Sequence, residues 1–208
     1  MARVGAHRAT NDVDALFNVA EERQIVAVLA RGEGVEPLGG SHVEIHGVKV
    51  DILAARPLGT VDIRDLPEDL DQRGHVLSHG YAVEQAAELV VAVRASSGGA
   101  EESCRLVVAL PEALLVTKLH AAISRHHDGE LKKRNDLHDV YRLLRRHGPS
   151  ISRALRVAHP LLREWTEEVT RKLFVTERTQ SRRLLGGGAG ISEDDLAAAA
   201  GFVLAETP

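Results

Sequence analysis

Apolar and polar positions alternate along residues 42–55. Val43 and Ile45 alternate with polar neighbours, Val48, Val50 and Ile52 do so again, and His46-Gly47 stands between the two runs as a tight-turn signal. That pattern predicts a β-hairpin. Upstream, Asp12-Val13-Asp14 leads into Ala15-Leu16-Phe17 and reads as a short strand. A helical spacing follows from Asn18 to Arg31, with Val19, Ile25, Val26, Val28 and Leu29 as its apolar set and Gly32 and Gly34 as its stop. Residues 56–80 hold Pro57, Gly59, Pro67, Gly74 and several acids, and predict a connection with one short helix near Leu66–Leu70. Tyr81 to Val93 is ambiguous, since Ala86-Ala87-Glu88 favours helix and Leu89-Val90-Val91-Ala92-Val93 favours strand. Ser96-Ser97-Gly98-Gly99 is a turn signal and Arg105–Leu110 a strand pattern.

From Pro111 onward the periodicity is helical. Proline is well placed at the first position of a helix, where its missing N–H costs nothing. Leu115, Leu119 and Ala122 mark one face of that helix, and Lys118 lies beside the face. Leu137, Val140, Tyr141 and Leu144 mark the next, which is expected to end at Gly148-Pro149. Ser150 then caps a third that runs past Pro160 with a kink. Gly186-Gly187-Gly188 reads as a linker, and Ser192-Glu193-Asp194-Asp195 opens a last, alanine-rich helix with acids at its positive end. The fold class expected is α/β (α+β): a small mixed sheet domain over residues 1–110, followed by a helical domain over 111–208.

Composition bounds this picture. A chain of 208 residues with 44% apolar and 27% charged residues makes one large or two small globular domains. No run approaches the roughly 20 apolar residues of a membrane span, and the N-terminus has no apolar stretch of the secretory kind. The expected location is the cytoplasm, with no membrane partner. The single cysteine, Cys104, lies in the strand pattern Ser103-Cys104-Arg105-Leu106-Val107-Val108, so there is no internal disulfide and no cysteine metal quartet. Aromatic residues at 3% supply few stacking platforms for single-stranded nucleic acid.

The net charge of −4 argues against a general nucleic-acid coat protein, but its distribution is lopsided. Residues 1–100 carry a net −6 and residues 118–183 a net +8. An acidic first half beside a basic helical second half fits a metal–nucleotide site next to a polyanion-binding wall. Solvated arginine-rich helix faces explain the basic half equally well.

The candidate chemistry starts at Asp12 and Asp14. Alternate residues of a strand share a face, so the two carboxylates repel unless a cation lies between them. Mg²⁺ suits such a pair, because it takes oxygen ligands and commonly brings nucleotide phosphates. The plainer reading is turn chemistry at Asn11-Asp12 ahead of an ordinary strand. Asp51 adds a third acid in Val48-Lys49-Val50-Asp51-Ile52-Leu53. It reads either as the solvated face of an edge strand or as a carboxylate brought beside the first two. Three acids on adjacent strands can hold two divalent ions.

Arg8, Thr10, Asp12 and Asp14, then a helix, then a hairpin ending in Val48-Lys49-Val50-Asp51-Ile52-Leu53, resemble the DNA-polymerase-β-like nucleotidyltransferases, and more narrowly the AbiEii/MenT type of toxin. The resemblance extends to a lysine on a later helix, Lys118 in Leu110–Leu119, and to Lys132-Lys133-Arg134-Asn135-Asp136-Leu137-His138-Asp139. It covers residues 7–147. It implies transfer of a nucleotide from an NTP, with Mg²⁺ (or Mn²⁺), to an RNA acceptor at the 3′ end of tRNA, with growth inhibition as the outcome and a cognate antitoxin as partner. It implies that Asp12, Asp14 and Asp51 hold metal, that Asp51 can accept the proton of the nucleophile, and that Lys118 meets the triphosphate. Asp136 and Asp139 then position Lys118 or an incoming base, and Arg8 and Thr10 touch phosphate. For RNA binding the expected residues are Lys132, Lys133, Arg134, Arg145 and Arg146. By spacing alone, Lys118 is an ordinary snorkelling lysine and Asp136 ordinary helix N-terminal charge.

The family places a Gly-Gly or Gly-Ser phosphate turn upstream of the two aspartates. Only eleven residues precede Asp12 and none forms such a turn, while Gly39-Gly40-Ser41 lies after them. The expectation is that the natural protein starts upstream of Met1; otherwise it is a truncated, inactive copy. Three alternatives stay open. One is a protein hydroxyl as acceptor. A second is a non-catalytic RNA- or partner-binding homologue. The third is a metal-dependent phosphohydrolase built on His126-His127-Asp128 with His120 and Asp139.

Overall fold

A computed structural model describes residues 12–18, 35–39, 42–45, 48–94, 101–125, 130–186 and 190–204. The chain divides into two compact units, Met1–Arg56 and Pro57–Pro208.

The described residues of the first unit form a four-stranded mixed sheet in the order β1-β4-β3-β2. Its strands are β1 (Asp12–Asn18), β2 (Val35–Gly39), β3 (His42–Ile45) and β4 (Val48–Ala55). The predicted hairpin is β3–β4, paired antiparallel from His42↔Asp51 to Ile45↔Val48. The strand bearing Asp12 and Asp14 joins it in parallel. β2 pairs antiparallel with β3 and shifts register between Pro37 and Gly39. Among the described strands β2 lies at the end of the sheet, and an end strand is where proline is tolerated. Asn18 closes β1 rather than opening a helix. The remainder of the helix expected to Arg31 falls outside the described residues.

The second unit begins with two short 3₁₀ turns, Leu58–Thr60 and Ile63–Asp65. A full helix, α1 (Leu70–Glu84), follows in place of the short one expected near Leu66–Leu70. The Asp69 side chain caps it by accepting from the Asp71 and Gln72 backbone N–H groups at 3.0 and 2.9 Å. Gly74 and Gly80 obscure the helical signal. Gly74 is required by packing: a Cβ there would lie 2.4 Å from Trp165. The ambiguous segment is helical only to Glu84, where α1 ends; Ala86-Ala87-Glu88, whose composition favours helix, instead opens the strand β5 (Ala86–Arg94). β5 pairs with β6 (Glu101–Ala109) as a separate antiparallel ribbon. Leu89, Val90, Leu106 and Val107 of this ribbon are exposed.

The remaining helices are α2 (Pro111–Ser124), α3 (Glu130–Val157), α4 (Pro160–Arg171), α5 (Arg178–Leu184) and α6 (Glu193–Leu204). A π-helical turn, Lys172–Thr176, extends α4. α2 packs between α1 and α3, and α3 also packs on α6. Leu115, Leu119, Ala122, Leu137, Val140 and Leu144 are all fully buried, as their spacing predicts. Three expectations fail here, and one is Ser150, which lies inside α3 with its hydroxyl donating to the His147 carbonyl oxygen instead of capping a new helix. The chain does not break at Gly148-Pro149: α3 runs through both to Val157. Pro149 forfeits one backbone hydrogen bond, but continuing the helix buries Gly148 against Phe202 and carries Ile151 and Leu155 into the core. The break comes instead at Ala158-His159, where Pro160 opens α4 and the His159 ring accepts from the Leu161 N–H, so Pro160 starts a helix instead of kinking one. The last helix begins as expected, with Ser192 and Asp195 capping each other at 2.7–3.0 Å.

The unit boundary at Arg56/Pro57 differs from the division expected after residue 110. α1 explains the difference. It packs on α2 and α4, and the buried Trp165 donates its Nε1–H to Leu70 O at 3.0 Å, which ties residues 70–84 to the helices.

Candidate functional site

In the β1–β4 ladder Asp12 is opposite Lys49, and Asp14 is opposite Asp51. The second pairing sets two carboxylate-bearing residues side by side on neighbouring parallel strands, about 4.8 Å apart at the backbone. Asp12 precedes Asp14 by two positions and falls on the same face of the pleat. On its other side Asp51 is paired with His42. His42 is a residue of the predicted hairpin whose place beside the acids the alternation by itself does not flag. A signal exists all the same: with a two-residue turn at His46-Gly47, residues 42 and 51 are register partners. Arg8 and Thr10 fall outside the described residues.

Lys118 occupies a cage built by two helices of the second unit. Its Nζ lies 3.1 Å from Asp136 Oδ1 and 3.3 Å from Asp139 Oδ2. Asp136 and Asp139 share a face because they are three residues apart on α3. On the other oxygen of Asp136, Arg125 Nε approaches to 2.7 Å. Asp136 is buried, with a side chain 5% exposed. A buried carboxylate survives only when paired, and here two cations pair it. Burial works against the charged form of Lys118, but the charges and hydrogen bonds of Asp136 and Asp139 outweigh it and hold its pKa above the ordinary lysine range. Lys118 is therefore a fixed ammonium at neutral pH. It remains partly open to solvent, at 36% side-chain exposure.

The basic residues expected to meet RNA all lie on α3. Lys132, Arg134, Arg145 and Arg146 are exposed and Lys133 is half-buried. His126, His127 and Asp128 are outside the described residues. The two residues offered as their partners are engaged separately: Asp139 pairs with Lys118, and His120 lies against Asp71 at 3.2 Å. His120 instead belongs to a cluster with His75 and His79 that the sequence pattern does not single out. Burial first, then the neighbouring His75, pushes the pKa of His79 down to about 4, and burial lowers that of His120.

The first unit thus sets aspartates in register on parallel strands, and the second cages a lysine between two acids. The chain belongs to the AbiEii family, the nucleotidyl transferase toxins of type IV toxin–antitoxin systems, whose family model matches residues 1–189. It is accordingly a toxin–antitoxin nucleotidyltransferase, an enzyme with an NTP substrate and an antitoxin partner. No curated protein and no solved structure matches it. Among the described residues no helix is long and apolar enough to cross a membrane.

Proposed function

We propose that the protein transfers a nucleotide from an NTP to the 3′ end of tRNA, and that Asp12, Asp14 and Asp51 hold Mg²⁺ for this reaction. The observation that carries the reading is the Asp14↔Asp51 pairing. Carboxylates are hard oxygen donors and suit Mg²⁺ or Mn²⁺. Two of them in register would repel without a cation, so the donor set fits the ion. Bound there, the ion would activate the attacking hydroxyl and neutralise phosphate oxygens.

The chain's own residues do the rest. Asp51 accepts the proton of the acceptor 3′-hydroxyl. The hydroxyl oxygen forms its bond to the α-phosphorus as the bond to the bridging oxygen of the β-phosphate breaks, and pyrophosphate leaves. Lys118 neutralises charge developing on the leaving group, and Asp136 and Asp139 position its ammonium. Arg8 and Thr10 contact phosphate. Lys132, Lys133, Arg134, Arg145 and Arg146 hold RNA phosphates. Support for RNA comes from the net +8 over residues 118–183.

The test incubates the protein with total RNA, Mg²⁺ and each NTP labelled at the α-phosphate. Label is expected on RNA of tRNA size, and Asp14→Asn should abolish it. Label on protein instead would move the acceptor to a protein hydroxyl, and no label with any NTP would overturn the proposal. Binding of tRNA should weaken steeply with salt, and the double variant Arg145→Glu, Arg146→Glu should make that slope shallower by about 1 per lost phosphate contact.

A further inference from the structure

We propose that Asp71, His75 and His79 of α1 and His120 of α2 form a metal site of their own, built for Zn²⁺, that staples these two helices together. The site lies within the second unit and shares no residue with the strand carboxylates.

Asp71, His75 and His79 recur every four residues, which stacks them along one face of α1 over two turns. The Asp69 cap fixes the first of those turns. His120 comes from the facing helix. The ring centroids are 4.2 Å apart for His75–His79, 5.5 Å for His75–His120 and 5.4 Å for His79–His120. Each imidazole offers a nitrogen, and these nitrogens all lie within 4.8 Å of one another. A tetrahedral Zn²⁺ with Zn–N near 2.0–2.1 Å needs its nitrogens about 3.3 Å apart. Drawing the three imidazoles onto one ion therefore takes a contraction of at most ~1.5 Å, and Asp71 joins from the side of His120. His75, the exposed member, has the freedom to supply it.

Two further details point to a cation. His79 Nδ1 lies 2.8 Å from the His75 carbonyl oxygen, so Nδ1 carries the proton and the lone pair is on Nε2. A hydrogen bond from the far nitrogen is the usual partner of a ligating histidine. Asp71 Oδ1 is shielded from water and receives no aligned hydrogen bond, although His120 Nε2 is only 3.2 Å away. A metal drawn in between them would satisfy that oxygen. Three imidazoles and one carboxylate select Zn²⁺ over Mg²⁺ or Ca²⁺, and four protein ligands make a closed structural site. His120 is two residues beyond Lys118 on α2, so the staple would also steady the helix that carries the caged lysine.

The full chain, stripped with a chelator and dialysed, should bind one Zn²⁺ in calorimetric titration. Co²⁺ in its place should give the intense visible absorption of tetrahedral coordination. Zn²⁺ should raise Tm by several degrees. His120→Gln leaves the His75–His79 pair intact on α1 yet should weaken Zn²⁺ binding at least about tenfold. Asp71→Asn should weaken it as well, and His138→Gln, outside the cluster, should not. Should His120→Gln fail to fold by circular dichroism, His79→Gln serves the same purpose. Absence of stoichiometric Zn²⁺ binding by the wild type, or wild-type affinity in a folded His120→Gln or His79→Gln, would overturn the proposal. None of these readouts involves nucleotide transfer, so they stand or fall independently of the proposed reaction.

Discussion

Lys118 Nζ on α2 lies 3.1 Å from Asp136 Oδ1 on α3, and Asp136 has a second cation, Arg125, on its other oxygen. The two partners are thus unequal. Removing Lys118 leaves Asp136 paired with Arg125, whereas removing the Asp136 charge leaves Lys118 facing only the half-exposed Asp139 within the cage.

The first prediction follows from that inequality. Asp136→Asn should destabilise the protein by about 2 kcal/mol, below the roughly 3–5 kcal/mol for breaking a fully buried pair, because Lys118 is partly solvated. Lys118→Met should cost less than half as much in urea unfolding, yet abolish nucleotide transfer if Lys118 meets the triphosphate. A Lys118→Met enzyme with wild-type turnover would make the cage purely structural.

The second prediction concerns Asp14 and Asp51. Like charges directly opposite in a ladder destabilise it by a few tenths of a kcal/mol up to about 1. Asp51→Asn should therefore leave Tm in chelator unchanged or slightly raised, while removing both the Mg²⁺-dependent rise in Tm and the transfer activity. A large loss of stability in chelator would instead identify Asp51 as a structural residue.

What the sequence discloses, and what it conceals, divides along physical lines. Period-two alternation makes β3–β4 legible, and a register follows from a tight turn, so the pairing of Asp51 with His42 is readable from spacing alone. Lys118, Asp136 and Asp139 are legible from helical spacing together with family resemblance, and their mutual contacts add a geometry that spacing does not contain. Glycine and proline mislead twice. Gly74 hides α1 and Gly148-Pro149 divides α3, because both local penalties are outweighed by tertiary contacts with Trp165 and Phe202. The histidine cluster is legible only in half: Asp71, His75 and His79 show four-residue spacing, but nothing local to His120 says which helix it faces.

The third prediction uses those glycines. Alanine favours a helix by roughly 0.5–1 kcal/mol over glycine, yet a Cβ would lie 2.4 Å from Trp165 at Gly74 and 2.3 Å from Phe202 at Gly148. Overpacking commonly costs about 1–3 kcal/mol, so both substitutions should destabilise. Gly74→Ala should be the worse, despite its slightly longer contact. Trp165 is 1% exposed and held by its bond to Leu70 O, whereas Phe202 is only half-buried and can turn aside. Thermal melts of the two variants test the order, and Phe202→Leu should rescue Gly148→Ala.

The last prediction is a pH dependence with a defined sign. Tyr81, 4% exposed on α1, has its pKa pushed up to about 12, chiefly by burial and then by the negative charges of Glu112 and Glu84. In the unfolded chain a tyrosine ionises near 10. The folded value is the higher one, so the neutral phenol favours folding. That contribution is fully present below pH 10 and is lost as pH rises through about 12. Each pKa unit corresponds to 1.36 kcal/mol, so the loss is about 2–3 kcal/mol when complete. Lys118, whose pKa is also raised, loses its contribution in the same alkaline direction. The Tyr81 share is isolated by comparison with Tyr81→Phe, which has no phenol to ionise. Urea-unfolding free energies measured between pH 9 and 11.5 should fall less steeply for Tyr81→Phe than for the wild type. Parallel slopes would mean that Tyr81 ionises in the folded protein as readily as in the unfolded chain.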